Sequence, residues 1–213
     1  IHLDNARDSR GGVSVYVPEY YDPEIAYPLI VVLHGGSGHG ADFLWSWIRE
    51  ARTRGVILAS PTALGRTWSL MGRDVDGGNL TGIVEHIRKN WRIDPRKMLL
   101  TGMSDGGTYS YLSGLRSDSS FTHLAPFAAS FHPLVLSGFE RDRIENLPIY
   151  IVHGVLDWMF SITMAREANR ALTRAKANVV YREIEDLSHT YPRDENPRIM
   201  DWFLEPSESN ESQ

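Results

Sequence analysis

Short apolar segments alternate with amphipathic segments along nearly the whole chain of 213 residues. Continuous apolar runs at residues 28–36, 55–61 and 148–154 are typical of strands that are buried on both faces. Between them, apolar residues recur at the spacing of one helix face: Leu80, Ile83, Val84, Ile87 and Trp91. This alternation predicts an α/β fold, with a mostly parallel central sheet and helices on both faces.

The same reasoning places the remaining elements. Further strands are predicted at residues 13–17, 125–131 and 178–184, and helices at residues 42–52, 162–172 and 196–204. No internal repeat and no Gly-, Pro- or Ser-rich linker divides the chain, so we expect one domain over residues 1–213. Its polar tail, about residues 205–213, is expected to fray.

Composition excludes several classes of partner. The net charge of -5 is mild and no run of Lys or Arg forms a basic patch, so we expect no nucleic-acid partner. The apolar runs are too short to span a membrane, so we expect no membrane partner.

The absence of cysteine permits either redox compartment. No signal peptide is visible, although a start at Ile1 leaves a removed leader possible, and the cytoplasm is the default expectation. The sequence predicts no particular oligomeric state.

A serine between glycines, Gly102-Met103-Ser104-Asp105-Gly106, matches the G-x-S-x-G nucleophile elbow. Five residues of this kind also occur by chance in flexible loops. The context decides in favour of the elbow, because an apolar strand precedes the serine and a helix-compatible segment follows it. Ser104 is therefore the candidate nucleophile.

A serine nucleophile needs a histidine as base and a carboxylate that orients the histidine. Of eight histidines, His189 alone lies downstream of both Ser104 and the strand at residues 148–154, although a surface loop histidine would also fit there. Asp157 follows that strand by three residues and is the candidate acid.

Other carboxylates fit the role of acid less well. Asp142 and Glu145 precede the strand at residues 148–154 and would lie at its wrong end. Glu185 and Asp186 are expected to be solvated loop residues.

The oxyanion of an acyl-transfer intermediate needs backbone N–H donors. The amide of Asp105, the first residue of the helix after the serine, is one candidate. The second comes from the glycine-rich loop after the strand at residues 28–36, with Gly36 preferred and Ser37 as the alternative. The alternative that this loop binds phosphate is not favoured, because the loop lacks the lysine and the glycine spacing of phosphate-binding motifs.

The sequence predicts no metal and no cofactor. His34 and His39, with His132, raise the question of a metal, but no H-x-H or H-E-x-x-H spacing supports one.

Large side chains near the predicted carboxyl ends of the strands are candidates for lining the substrate pocket. Core or rim packing is equally compatible with each of them. They are Trp68, Met71, Met103, Phe131, Trp158 and Tyr191.

With these residues in place, the chain resembles the phospholipase/carboxylesterase branch of the α/β-hydrolase superfamily, which includes polyhydroxybutyrate-depolymerase-like and acyl-protein-thioesterase-like enzymes. The resemblance rests on "LIVVLHGGSG", "IDPRKMLLTGMSDGG", "IVHGVLDWMF" and "LSHTYP", and covers residues 13–203. Its most specific part is the I-D-P-x-R/K run at residues 93–97. The resemblance implies an eight-stranded, mostly parallel sheet with a shortened first strand, a serine hydrolase without cofactor, and a triad of Ser104, Asp157 and His189.

One feature departs from that family. Many relatives have a valine–proline pair three or four residues after the acid, where this chain has Met159, Phe160 and Ser161. The departure changes the pocket wall and leaves the triad untouched.

The sequence therefore predicts a serine esterase that cleaves a small-molecule carboxylic ester. The loops at residues 62–79 and 133–147 have few large apolar groups, which favours an open pocket and short acyl chains. A thioesterase or peptidase with the same triad remains an alternative, as does a non-catalytic binding protein on a hydrolase scaffold.

Overall fold

Eight strands form one sheet in the computed structural model, which describes residues 1–205. The strands are β1 (His2–Leu3), β2 (Val13–Tyr16), β3 (Tyr27–Leu33), β4 (Ile57–Pro61), β5 (Ile93–Met103), β6 (His123–Phe127), β7 (Pro148–Gly154) and β8 (Asn178–Ile184). Their order across the sheet is β1-β2-β4-β3-β5-β6-β7-β8. The pairs β1–β2 and β2–β4 are antiparallel, and all other neighbouring strands are parallel. The mostly parallel sheet predicted from the sequence is confirmed.

Helices connect the strands. They are α1 (Gly40–Phe43), α2 (Ile48–Arg54), α3 (Asp76–Asn90), α4 (Asp105–Gly114), α5 (Arg141–Ile144), α6 (Ile162–Arg174) and α7 (Asn196–Leu204). Short 3-10 segments add Leu44–Ser46, Pro133–Gly138 and Arg193–Glu195. Within residues 1–205, none of the helices combines the length and the apolar character needed to cross a bilayer.

The core consists of two layers, one on each face of the sheet. Along β3, Leu29 and Val31 belong to one layer while Ile30 and Val32 belong to the other, because successive side chains of a strand point to opposite faces. Helices α3, α4 and α6 cover the first layer, and α2 and α7 cover the second. Burial on both faces explains why the central strands are continuously apolar in the sequence.

Two predicted elements differ from the observed ones. The helix predicted at residues 42–52 is divided into α1, a 3-10 turn and α2. The strand predicted at residues 125–131 ends at Phe127, because Ala128 has a left-handed φ of 42° and its amide donates to the carbonyl oxygen of Val152 at 3.0 Å. The predicted frayed tail lies outside the described residues from residue 206 onwards.

Candidate active site

Ser104 lies on a strained turn between β5 and α4. Its φ of 56° and ψ of -119° are rare for a residue with a side chain. Its amide donates to the carbonyl oxygen of Phe127 at 2.9 Å, which ties the turn to the neighbouring strand β6. The turn thus holds the Ser104 side chain at the carboxyl edge of the sheet.

The glycines of the elbow are required by close packing. A Cβ on Gly102 would lie 2.5 Å from the carbonyl carbon of Gly106, and a Cβ on Gly106 would lie 2.5 Å from the carbonyl oxygen of His34. Neither position has room for any side chain. The spacing of the two glycines around Ser104 therefore has the steric origin that the sequence motif indicates.

The structure brings the three predicted residues together. His189 Nε2 lies 3.0 Å from Ser104 Oγ, and His189 Nδ1 lies 2.8 Å from Asp157 Oδ2. Ser104 follows β5, Asp157 follows β7 and His189 follows β8, so the parallel strands deliver all three side chains to one edge of the sheet. The side chain of His189 is 7% exposed, and that of Asp157 is fully buried.

Asp157 is held as a carboxylate by its hydrogen bonds. Its Oδ1 accepts from the amides of Met159 at 2.9 Å and Phe160 at 2.8 Å. Burial alone would raise the pKa of Asp157, but the Phe160 amide, the His189 side chain and the Met159 amide together hold that pKa below its usual value. A carboxylate that stays ionised fixes His189 with a proton on Nδ1, leaving Nε2 to accept the hydroxyl hydrogen of Ser104.

The four carboxylates that fit the role of acid less well in the sequence analysis are not the one that contacts His189. Glu185 and Asp186 are exposed. Asp142 lies on α5 and Glu145 directly follows it, before β7 begins, and Glu145 pairs with Lys176 at 2.9 Å.

The two candidate oxyanion donors flank Ser104. The residue after Ser104, Asp105, is the first residue of α4, where the helix N-terminus favours negative charge. Opposite it lies the loop after β3, and a Cβ on Gly35 would lie 3.6 Å from Ser104 Cβ. In this loop the amide of Ser37 already donates to the carbonyl oxygen of Arg66 at 2.8 Å. Among the described residues, the amide of Gly36 has no such acceptor, which favours Gly36 over Ser37.

His34 and His39 have structural partners rather than the geometry of a metal site. His34 Nε2 accepts from the amide of Ala63 at 3.0 Å, and burial lowers the pKa of His34 to about 4. His39 caps α1 by accepting from the amide of Ala41 at 3.2 Å. Within the described part of the chain, no group of three or more His, Cys, Asp or Glu side chains is arranged to hold a metal ion.

The structure superposes on solved structures over most of its length. It matches FphF, a fluorophosphonate-binding serine hydrolase of Staphylococcus aureus, with a TM-score of 0.75 and 13% identity, covering 95% of this chain and 96% of that one. It matches the thermophilic esterase Est2 of Thermogutta terrifontis, in a propionate-bound form, with a TM-score of 0.72 and 19% identity, covering 91% and 88%. The chain has the α/β-hydrolase fold.

In sequence, the chain is similar to a bifunctional acetylxylan esterase/xylanase of Neocallimastix patriciarum, with 25% identity over 202 residues, or 91% of this chain. The chain spans only 28% of that relative's length. It also spans 54% of a thermostable esterase structure that it matches at a TM-score of 0.69 and 17% identity, with 87% of this chain covered. No protein-family model matches the sequence.

Most of the six predicted pocket residues pack inside the α/β-hydrolase fold. Trp68 is 3% exposed, stacks on Tyr109 and donates its indole hydrogen to the carbonyl oxygen of His34 at 2.8 Å. Phe131 is 6% exposed and packs edge-on against Tyr111. For these two side chains the structure shows packing contacts, and their contact with substrate stays a prediction.

Of the other four, Met103 and Tyr191 are half-buried and pack against the core layer of α2 and α7. Met71 is 92% exposed. Trp158 is 75% exposed, with its ring centroid 6.1 Å from that of His189. Trp158 is therefore the predicted pocket residue whose side chain is both exposed to solvent and close to His189.

Three neighbours of this site were missed by sequence reasoning. Phe160 packs edge-on against the ring of His189 with centroids 5.4 Å apart, Thr67 donates to the carboxylate of Asp105, and His153 lies beside Asp157. His153 carried a signal, because it stands four residues before the candidate acid. Thr67 carried none.

Proposed function

We propose that the protein is a serine esterase that hydrolyses carboxylic esters through Ser104, His189 and Asp157. The observation that carries this proposal is the unbroken chain of contacts from Ser104 Oγ through both ring nitrogens of His189 to Asp157 Oδ2. A hydroxyl, an imidazole and a buried carboxylate in this order form the constellation of a nucleophile activated by an oriented base.

The residues divide the reaction between them. Ser104 Oγ attacks the carbonyl carbon of the ester while His189 Nε2 takes the hydroxyl proton. The negative charge that develops on the carbonyl oxygen is bound by the amides of Gly36 and Asp105. His189 then gives its proton to the leaving alcohol, and the acyl group remains on Ser104. Water then attacks the acyl carbon while His189 Nε2 takes its proton, and His189 returns that proton to Ser104 Oγ as the bond to the acyl group breaks and the carboxylic acid leaves. Asp157 holds His189 throughout.

The comparisons support an ester as the substrate and a short acyl group as its acid part. One relative is named an acetylxylan esterase, and Est2 is described in propionate-bound and butyrate-bound forms. Both names describe those proteins. They make soluble esters of acetic to butyric acid the first substrates to test, ahead of thioesters and peptides.

The test is hydrolysis of p-nitrophenyl acetate by the wild type and by Ser104→Ala, together with labelling by a fluorophosphonate probe. We expect the wild type to turn over and to be labelled. Ser104→Ala should lose turnover by on the order of 10⁶-fold, because the three groups act as a unit, and should not be labelled. Comparable activity in folded Ser104→Ala would contradict the proposal. An unlabelled, inactive wild type would instead favour a binding protein on this fold.

A further inference from the structure

A second histidine lies behind the candidate acid. His153 is the penultimate residue of β7, and its side chain is 1% exposed. Its Nε2 lies 2.8 Å from the carbonyl oxygen of Phe160 and 3.3 Å from Asp157 Oδ2. The acid thus has a histidine on each side of the same oxygen, since His189 Nδ1 also contacts Oδ2.

The surroundings of His153 assign its proton. Both atoms that face Nε2 are acceptors, a backbone carbonyl and a carboxylate, so Nε2 carries the hydrogen. The hydrogen bond goes to Phe160, with Asp157 Oδ2 as a second, longer acceptor. A buried imidazole whose N–H is shared between these two acceptors is held in one orientation.

On β8, the carboxylate across from His153 already has its own hydrogen-bond donors. Glu183 of β8 lies directly across from His153. Its two carboxylate oxygens are bound by Arg166 at 2.8 and 2.7 Å and by the hydroxyl of Tyr181 at 2.7 Å. The Arg166 guanidinium, chiefly, lowers the pKa of Glu183 to about 2. Glu183 is therefore already engaged, and the donor of His153 is left to the turn that carries Asp157.

The turn from Asp157 to Phe160 contacts His189 at two points. Asp157 Oδ2 contacts His189 Nδ1, and the ring of Phe160 packs edge-on against the His189 ring. His153 fixes both residues that make these contacts, because it donates to the Phe160 carbonyl oxygen and faces the Asp157 carboxylate oxygen. Loss of this donor frees the turn to shift relative to Ser104, and a shift of 1 Å in such a group costs ~100-fold in rate.

We propose that His153 is a positioning residue for the reaction: it fixes the turn from Asp157 to Phe160 so that the acid and the aromatic ring hold His189 in line with Ser104. The inference rests on the proposed function of Ser104, His189 and Asp157. The polar partners of His153 in the structure are Phe160 and Asp157, so its effect on His189 passes through these two residues.

Two amide substitutions separate this role from simple packing. In His153→Gln the side-chain nitrogen reaches the place of Nε2 and can still donate, whereas in His153→Asn it ends near the place of Nδ1 and cannot. We expect His153→Asn to lose kcat by on the order of 100-fold with KM within about twofold. His153→Gln should keep kcat within about fivefold of the wild type. Kinetics with p-nitrophenyl acetate and the rate of fluorophosphonate labelling measure both variants.

The matched control is His132→Asn. His132 is exposed and caps the 3-10 segment after β6 by accepting from the amide of Leu134, which Asn does equally well. This control should behave as the wild type.

Equal kcat in folded His153→Asn and the wild type would overturn the proposal, and so would an equal loss in the Gln and Asn variants. Should His153→Asn fail to fold, a folded His153→Gln that loses kcat ~100-fold overturns it alone. These outcomes are ratios to an active wild type, so they are distinct from failure of the proposed function, which Ser104→Ala tests.

Discussion

Thr67 donates its hydroxyl hydrogen to Oδ2 of Asp105 at 2.5 Å and so joins the loop after β4 to the first residue of α4. A Cβ on Gly36 would lie 2.7 Å from the same oxygen. The backbone of Gly36 therefore packs directly against a side chain that Thr67 holds in place. This contact links the two residues whose amides are proposed to bind the oxyanion, Gly36 and Asp105.

The first prediction is that Gly36→Ala lowers kcat on p-nitrophenyl acetate by on the order of 100-fold, the effect of losing one oxyanion donor. The added methyl group pushes the loop away from Asp105 and displaces the Gly36 amide. Gly138→Ala is the control, because a Cβ there meets nothing within 4 Å. Similar kcat values for the two variants would contradict this prediction.

The second prediction assigns the acid. Asp157→Asn should keep the fold and lower kcat by on the order of 10⁴-fold, since an amide favours the wrong tautomer of His189. Asp186→Asn is the matched change at an exposed carboxylate close to His189 in sequence and should leave kcat unchanged. Steady-state kinetics of both proteins, with circular dichroism to check folding, decide between them. A large loss in Asp186→Asn alone would move the role of acid to that residue.

The sequence predicts the site best where backbone geometry alone determines it. The elbow around Ser104 needs glycines at two fixed offsets, and parallel strands bring the residues after β5, β7 and β8 to one edge. Both rules act through the backbone, so the motif and the order of elements were enough to predict Ser104, Asp157 and His189 as neighbours.

Side-chain contacts within turns were not predictable in this way. Whether His153 faces Asp157, or Thr67 faces Asp105, depends on rotamers that distant parts of the chain select. The division of the helix predicted at residues 42–52 has a similar origin. A Cβ on Gly40 would collide with the carbonyl oxygen of Ser60, and Asn196 donates to the carbonyl oxygen of Ser46 at 2.7 Å. Tertiary packing of this kind overrides local helix propensity.

The third prediction concerns stability at acid pH. Burial lowers the pKa of His34 to about 4, and burial together with Lys97 lowers that of His123 to about 4. The unfolded chain takes up protons at these residues below about pH 6.5, whereas the folded protein does so only near pH 4. The free energy of unfolding should therefore fall as the pH drops from 6.5 to 4, by about 2 kcal/mol per histidine at pH 5.

The variant His123→Phe tests this directly, since phenylalanine fills the aromatic contacts with Trp202 and Phe203 and does not titrate. Urea unfolding at pH 7.5 and pH 5 should show about half of the wild-type loss for this variant. An unchanged loss would mean that His123 titrates normally in the folded protein.

The last prediction concerns the acyl chain and rests on the two loops that would have to form a lid. Between β6 and β7, the 3-10 segment Pro133–Gly138 packs Val135 and Leu136 against the core, and α5 spans only four residues. The loop before α3 is fixed by Asp76, whose carboxylate accepts from the amides of Leu64 and Ser69 at 2.8 Å each.

Neither loop offers a free apolar helix to cover a long acyl groove, so access to Ser104 should not depend on a lipid surface. We expect kcat/KM to be highest for acetyl to hexanoyl esters and to show no increase when the substrate passes its micelle concentration. A series of p-nitrophenyl esters measured below and above that concentration provides the test. A preference for palmitoyl over butyryl esters would require one of these loops to open into an apolar groove, against the bonds of Asp76 and the packing of Leu136.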